Sequence, residues 1–421
     1  MKKIKYDDLL VMLMPIISFM FEGIQIGSYN TLMEYLQHDL NTNITGVSIL
    51  SSTYFCTLCL TLIPAGIILD KFGPNKVYPS CFLLSTSGML LFAISPNYTL
   101  ILISRFISGV GAAFSLIGGI KIMRIKLNKS QVGIATSFII GAGMLGNMIS
   151  QAPLTIFIEV LGWRASVASI AIIGIILSLL CYVVLILYLP IIKNNNYIYK
   201  FSEFVAVIKN PINWLGAIIV IAFELPIMLL GTLFGQVFLI SSYGISPENA
   251  SESFSILFFT LMISIPILSF FWNKISNGLI IIFSCSFMAI ISLIIIFFYP
   301  PLMTKYYNFV FIFLAIGSSI QILGYFFVLE NNQKQLLSSA NSLVSIIIMV
   351  CASVFRPLVS KIIEWELQIN CQPNSLSIVD FQRGGLFLII FVLLGLISLL
   401  ISNAKYDSKL GFKAQIPADK P

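Results

Sequence analysis

Charge is what this chain has least of: Asp, Glu, Lys and Arg together make up 10% of its 421 residues. A soluble protein carries about a quarter charged residues, so a water-facing globule is excluded as the main architecture. Histidine is scarcer still, with a single copy, His38, placed in an expected external loop. Catalysis or metal binding built on histidine therefore has no second partner. The sequence Gly-x-x-x-x-Gly-Lys-Ser/Thr, which cradles nucleotide phosphates, is absent, so the energy for any work must come from a gradient. Cys56 and Cys59 have CxxC spacing, but no other ligand pair lies near them and they read as packing residues. No basic run is dense enough to hold nucleic acid. No metal, cofactor or enzymatic centre is expected.

What is present is hydrocarbon. Hydrophobic residues form 58% of the chain, and the mean hydropathy is +0.98. They fall in runs of about 20 residues, the length a helix needs to cross a bilayer. The runs predict spans near 9–31, 46–69, 77–95, 98–123, 131–158 and 165–191, then near 211–240, 250–272, 277–299, 307–329, 338–362 and 384–403. One long polar break, from Lys193 to Asn210, separates the two sets. The fold class expected is all-α polytopic membrane protein, twelve transmembrane helices in two pseudo-symmetric six-helix bundles. The domain reading is an N-terminal bundle over 1–192, a cytoplasmic linker over 193–210, a C-terminal bundle over 211–403 and a cytoplasmic tail over 404–421.

Lys and Arg set the orientation, because they gather in cytoplasmic loops. With the N-terminus inside, the cytoplasmic segments hold Lys2, Lys3, Lys5, Lys71, Lys76, Lys121, Arg124, Lys126, Lys129, Lys193, Lys200, Lys209, Lys274, Lys334, Lys405, Lys409, Lys413 and Lys420. The opposite side holds only Arg164, Lys305, Lys361 and Arg383. This asymmetry accounts for the net charge of +7 without an anionic partner. The first residues, with no small-residue cleavage site, read as a retained cytoplasmic stub. Both termini are thus expected in the cytoplasm of a bacterium, with the chain in the inner membrane.

Against this apolar background stand a few polar residues at bilayer depth, where a charge costs roughly 2.5–3.5 kcal/mol on insertion scales. Glu22 and Glu224 each lie near the middle of the first span of their half, about 20 Å from the cytoplasmic edge. Arg105 enters from the other side, about 10 Å below that surface. Gln25 and Tyr29 follow Glu22 on one helical face. Asn147, Gln151, Gln236 and Gln321 complete the candidates for substrate contact, although each is as well suited to hydrogen bonding between helices. Arg356, beside Pro357, is read as snorkelling to the outer surface.

Between the second and third spans runs Gly66-Ile67-Ile68-Leu69-Asp70-Lys71-Phe72-Gly73-Pro74-Asn75-Lys76. The fourth span carries Arg105-Phe106-Ile107-Ser108-Gly109-Val110-Gly111. The fifth carries Gly141-Ala142-Gly143-Met144-Leu145-Gly146 and ends at Gly162-Trp163-Arg164. In these motifs the chain resembles the major facilitator superfamily. The resemblance implies two bundles around a central cavity lined by helices one, four, seven and ten, so that Glu22, Arg105 and Glu224 face one space. Gly66, Asp70, Lys71, Gly73 and Lys76 would form a cytoplasmic gate, with Gly66 allowing close helix approach, Gly73 a tight reversal and Asp70 meeting a neighbouring helix N-terminus. Gly109, Gly111, Gly141, Gly143 and Gly146 would be helix-packing positions. The equivalent loop of the second half, around Trp272-Asn273-Lys274, lacks the aspartate, so the gate is expected to be asymmetric.

Lys209-Asn210-Pro211-Ile212-Asn213-Trp214 and Gly143-Met144-Leu145-Gly146 resemble proteobacterial facilitators related to sugar-phosphate and organic-anion permeases, a group with members in siderophore traffic. The function expected is secondary active transport of a small polar or anionic metabolite, by a monomer, with protons as the coupling partner at Glu22 or Glu224. The alternative for the charges is a static Glu22–Arg105 pair joining two helices. Direction stays open between proton-coupled uptake and export of a drug or siderophore. The antiporter Gly-Pro is unmatched in the fifth span, where Asn147 follows Gly146, and this favours uptake. A non-transporting sensor is the alternative from another class, disfavoured by the short tail after Asn403.

Overall fold

The computed structural model describes residues 6–127, 129–190, 205, 207–272, 278–332, 337–369 and 378–406. Residues 193–204 and 206 of the expected linker, the loop Asn273–Asn277 and the tail beyond Tyr406 lie outside them. So do Lys2, Lys3, Lys5, Lys193, Lys200, Lys274, Lys334, Lys409, Lys413 and Lys420, on which part of the charge asymmetry rests.

Among the described residues all regular structure is helical. The first half comprises α1 (Tyr6–Asp39), α2 (Ile44–Phe72), α3 (Pro74–Ile94), α4 (Tyr98–Ala112), α5 (Ser115–Lys126), α6 (Lys129–Ile149), α7 (Ala152–Leu161) and α8 (Trp163–Tyr188). The second comprises α9 (Pro211–Pro226), a π-helical segment (Ile227–Phe234), α10 (Gly235–Tyr243), α11 (Pro247–Trp272), α12 (Gly278–Phe298), α13 (Pro300–Ser318), α14 (Ile322–Glu330), α15 (Leu337–Ile369) and α16 (Ile378–Tyr406). Eleven of these spans are long and apolar enough to cross a membrane, and twelve if α6 and α7 count as one bent span. Their outward faces are bare hydrocarbon. Ile172, Ile176, Leu179, Val183 and Leu187 of α8 are all exposed and suited to acyl chains.

The helix ends follow from local chemistry. Asn43, Asn97 and Asn210 cap α2, α4 and α9, each accepting a backbone N–H from the first turn. Pro74 and Pro211 sit at the first helical position, where a missing N–H does no harm. Gly73 has φ 78°, a conformation glycine adopts without strain, and α2 reverses there into α3. His38 belongs to the last turn of α1 rather than to a loop, because the helix runs on past the apolar stretch to Asp39.

Several expected spans are interrupted. The fifth bends by 42° between α6 and α7, around Gln151. Pro153 explains this, since it has no N–H for the carbonyl four residues back. The fourth turns at Ala113–Phe114, just past Gly109 and Gly111. The seventh passes through eight residues of π-helix, which begin directly after Pro226 and end at Gly235.

Close packing of α1 on α6 sets the centre of the first half. A Cβ on Gly146 would stand 2.0 Å from the Met20 carbonyl oxygen, and one on Gly23 would stand 2.1 Å from that of Gly143. A Cβ on Gly109 would stand 2.6 Å from the Tyr54 carbonyl oxygen in α2, and one on Gly111 2.5 Å from that of Cys81 in α3. Two expectations are corrected: nothing lies within 4 Å of where a Cβ of Gly66 or Gly141 would be, so neither marks a close helix contact. Both glycines face away from neighbouring helices.

Candidate functional site

The halves meet mainly at one end of the molecule, the end bearing Asn43, Trp163 and Gly244. There α2 lies against α15. The Glu364 carboxylate accepts from the Thr45 backbone at 2.8 Å and from Asn43 Nδ2 at 3.0 Å, and Ser48 Oγ lies 2.5 Å from Ser360 Oγ. The Ala152 N–H, at the α6–α7 bend, donates to Ser255 Oγ of α11 at 3.1 Å, and Ser255 Oγ donates to the Met148 carbonyl. Toward the Gly73 end, Cys59 Sγ of the first half contacts the Ile346 carbonyl of the second at 3.9 Å. Nearer that end, Lys121 pairs with Asp70 and Lys126 with Asp8, each within the first half. The described residues thus define a state closed at the Asn43 end.

A polar knot closes that end near the molecular axis. Asn30 Nδ2 donates to Gln151 Oε1 at 2.9 Å, and Asn30 Oδ1 accepts the backbone N–H of Gln236, also at 2.9 Å. Gln236 Nε2 donates to Gln151 Oε1 and Thr31 Oγ1, each at 2.9 Å, and Gln151 Nε2 donates to the Gly27 carbonyl at 3.1 Å. Gln151 and Gln236 are therefore committed to joining helices in this state. Asn30 and Thr31 complete the knot and were absent from the sequence candidates. Their only signal was amide and hydroxyl groups on the turn after Tyr29. Gln25 donates to Ser85 Oγ of α3 at 2.9 Å while its Oε1 is unpaired, and Asn147 bonds back to Gly143 with Oδ1 unpaired. Gln321 is buried in the short 3-10 turn after α13, away from this knot.

Glu22 and Arg105 are both buried in the first half, and no ion pair joins them. Ser115 is the polar neighbour of Glu22, whose Oε2 has no hydrogen bond. The Arg105 guanidinium lies over Phe92 at 4.0 Å and over Tyr29 at 5.1 Å, with Nε and Nη1 unbonded. Cation–π contact of this buried kind contributes about 2 kcal/mol and leaves the charge without a counter-ion. Tyr54 is within electrostatic reach of both Glu22 and Arg105, and its hydroxyl, like that of Tyr29, is unpartnered. Glu224 stands apart, lining a narrow pocket with Ile221, Leu225, Met228, Ile348 and Cys351 of its own half, and with Tyr325 nearby.

Arg356 corrects an expectation. It does not snorkel: it is fully buried in α15, stacked on Phe55 at 4.4 Å. Its Nη1 donates to Ser51 Oγ of α2 at 2.5 Å, and its Nη2 donates to the Met228 carbonyl at 3.3 Å and to Thr232 Oγ1. The physical reason is depth. Two helical turns, about 12 Å of rise and beyond the reach of its stem, separate it from Glu364, itself five residues before the helix ends at Ile369. The carbonyls it satisfies, those of Met228 and Thr232, belong to the π-segment, where the backbone ladder is shifted.

The loop after α2 is also specific. Asp70 pairs with the Lys121 ammonium of α5 at 2.6 Å rather than with a helix terminus, and Lys121 also donates to the Leu69 carbonyl at 2.6 Å. At the other end Trp163 Nε1 donates to Asp39 at 2.8 Å, while Arg164 reaches the carbonyls of Ala93 and Ser95. The Gly-Trp-Arg sequence thus ties α8 to α1 and α3. Trp163 also packs edge-on against Phe92, the ring beneath Arg105.

Two helical bundles, closed on each other at one end and carrying buried charges between helices, define a polytopic membrane transporter. The chain belongs to the Major Facilitator Superfamily, whose family model matches residues 15–357. Over 147 residues it is 26% identical to the putative multidrug resistance protein MdtD of Pectobacterium atrosepticum, a match covering 35% of this chain and 31% of that protein. The protein of the same description from Salmonella paratyphi B is 22% identical over 149 residues, 35% of this chain and 32% of its own length. The chain thus matches about a third of the length of these relatives. Among solved structures, a bacterial homologue of the human lysosomal transporter Spinster, in an inward-facing and occupied conformation, superposes with a TM-score of 0.74 at 13% identity, over 96% of this chain and 98% of that one. The nucleoside transporter NupG gives 0.71 at 15% identity (94% and 99%). The D-xylose–proton symporter gives 0.67 at 14% (94% and 97%). At such identities these neighbours share the fold.

Proposed function

We propose that this protein is a secondary active transporter, acting as a monomer, that takes up a small polar or anionic solute across the bacterial inner membrane by alternating access and proton coupling. The observation that carries this reading is the pair of membrane-depth carboxyls, Glu22 and Glu224, one in each half and neither held in an ion pair among the described residues. Burying a carboxylate without a partner costs several kcal/mol, and taking up a proton removes that cost. A carboxyl that meets water on alternate sides as the halves rock would therefore move a proton in each cycle. On the orientation expected from Lys and Arg, the closed end faces outward and the Gly73 end faces the cytoplasm. Arg105, beside Tyr54, is the group that would answer the change in charge at Glu22.

The test is transport by the full chain in proteoliposomes, with and without an imposed pH gradient. Glu22→Gln and Glu224→Gln are compared with wild type. Loss of concentrative uptake with exchange down a gradient retained supports coupling at that residue. Unchanged accumulation in both variants overturns it.

Export is the second reading, favoured by the match to the putative multidrug resistance protein MdtD over 147 residues. It calls for the opposite dependence, with solute leaving against an inward proton gradient. A non-transporting sensor would show no counterflow at all.

A further inference from the structure

The seventh span changes its hydrogen-bond ladder within the membrane, and the groups this displaces are held by other helices. In a continuous α-helix each N–H meets the carbonyl four residues back. Gly235 N–H would then meet the Gly231 carbonyl, and Gln236 N–H the Thr232 carbonyl. The π-segment, Ile227–Phe234, breaks that order: Gly235 N–H goes to the Leu230 carbonyl, five residues back. The Gly231 carbonyl accepts instead from Gln151 Nε2 at 3.4 Å, and Gln236 N–H donates to Asn30 Oδ1 at 2.9 Å. Arg356 Nη1 donates to the Thr232 carbonyl at 3.4 Å, and its Nη2 to that of Met228 at 3.3 Å.

These outside partners depend on the first half. Asn30 comes from α1, and Gln151 stands at the α6–α7 bend. Arg356 belongs to the second half, but α2 steadies it through Ser51 Oγ at 2.5 Å and the Phe55 ring at 4.4 Å. Buried backbone groups need partners, so parting the halves removes what the shifted ladder relies on. Gly235 adds an independent constraint. A Cβ there would stand 2.1 Å from the Leu230 carbonyl oxygen and 2.2 Å from the Phe254 ring, so the π-segment leaves no room for a side chain at its end.

We propose that the π-segment is a switch tied to the Asn43 end: it forms when the halves meet there and reverts to α-helix when they part. As Asn30 and Gln151 withdraw and α2 releases Arg356, Gly235 N–H moves to the Gly231 carbonyl and Gln236 N–H to that of Thr232. The displaced backbone groups then satisfy one another. Return to a four-residue ladder advances α10 by about one residue position, roughly 100° about its axis. Gln236 turns away from Gln151 and Thr31, and Gly235 comes to the place it held. The knot cannot re-form until the π-segment does, so the ladder of one helix records whether this end is open. This inference rests on the transporter reading, which has the halves part, and adds a movement inside the second half that rocking of rigid halves does not contain.

The test is two spin-label distances in the full-length chain, reconstituted in nanodiscs on a background without other reactive cysteines. Labels at Asn41 and Lys361 report parting of the halves at the Asn43 end. Labels at Ser241 and Tyr299 lie within the second half, near the end of α10 and just before α13, so rigid-body rocking leaves their distance unchanged. A turn of roughly 100° carries a side chain about 5 Å from the helix axis through about 8 Å. The Ser241–Tyr299 distribution should therefore show two populations, the second rising in step with long Asn41–Lys361 distances. Arg356→Lys keeps the charge but loses the fork that holds two carbonyls, and should raise the second population about tenfold. Gly235→Ala, for which the π-segment has no room, should act in the same direction and serves if the arginine variant does not fold. The inference is overturned if Asn41–Lys361 lengthens while Ser241–Tyr299 keeps one distance, or if both variants leave the populations at wild-type values. The first of these results leaves the transporter reading standing. An Asn41–Lys361 distance that stays short in every sample sinks that reading and this inference together.

Discussion

Gln236 of the second half donates its side-chain amide to Gln151 of the first at 2.9 Å, and both sit on Asn30. The bonds of Gln236 to Asn30, Thr31 and Gln151 join halves that must part if the Asn43 end is to open, whereas Asn30–Gln151 and Gln151–Gly27 lie within the first half. Gln236→Leu leaves Gln151 and Thr31 short of a partner, at about 1–3 kcal/mol for buried groups. That energy shifts the balance toward states open at this end by about fivefold to 150-fold. Distances between spin labels at Asn41 and Lys361, on the two facing halves, should lengthen in the variant. An unchanged distribution would show that the knot does not hold the closed state.

The contact of Ser48 with Ser360 is close enough to be made covalent. Cysteines at both positions should oxidise to a disulfide that ties α2 to α15, since bridged cysteines need Cβ atoms about 4 Å apart. Transport should stop on oxidation and return on reduction. A cross-linked protein that still transports at the wild-type rate would mean that this end need not open.

Gly146 and Gly141 make a matched pair, five residues apart on α6, about 1.4 turns, and different in surroundings. A side chain on Gly146 would collide with the Met20 carbonyl, which belongs to backbone and cannot swing aside. Gly146→Leu should therefore lower the melting temperature severely, by more than the roughly 1–3 kcal/mol of an overpacked core. Gly141→Leu meets nothing within 4 Å and should be neutral or slightly stabilising in detergent or lipid. Equal effects at the two sites would contradict the crossing of α1 and α6.

The apolar runs carried nearly all of the architecture, because a helix through lipid must be long, continuous and uncharged, and no other pattern imitates it. Breaks within spans were harder to see. Pro153 and Pro226 are visible in the sequence, yet proline in a membrane helix produces a bend in one case and a π-segment in the other, and neighbouring helices decide which. Charge at bilayer depth singles out Glu22, Arg105 and Glu224, and amides within spans single out Gln25, Asn147, Gln151, Gln236 and Gln321, whereas Asn30 and Thr31 fall at the very end of the expected first span, where polar residues are ordinary. Arg356 was visible as a charge but placed at the wrong depth, since the apolar window ended seven residues before the helix did. Whether a buried amide binds solute or joins helices depends on what faces it across the bundle, and that information is not local.

Lys121, which no motif singled out, is expected to matter more than Asp70, which one did. The ammonium pairs with Asp70 at 2.6 Å and also donates to the Leu69 carbonyl at the end of α2, where a cation meets the negative end of the helix dipole. Asp70→Asn removes only the first interaction, and the pair is about a third exposed or less, so about 0.5 kcal/mol is expected after solvent screening. Lys121→Met removes both, although the Leu69 carbonyl keeps the Gly73 backbone N–H at 3.1 Å, so about 1 kcal/mol is expected. The double variant should then be no less stable than Lys121→Met, because the carboxylate has already lost its partner. Melting temperatures of the four proteins, read as a double-mutant cycle, check this. An Asp70→Asn defect larger than that of Lys121→Met would mean that the aspartate has a second partner that forms only when the Gly73 end closes.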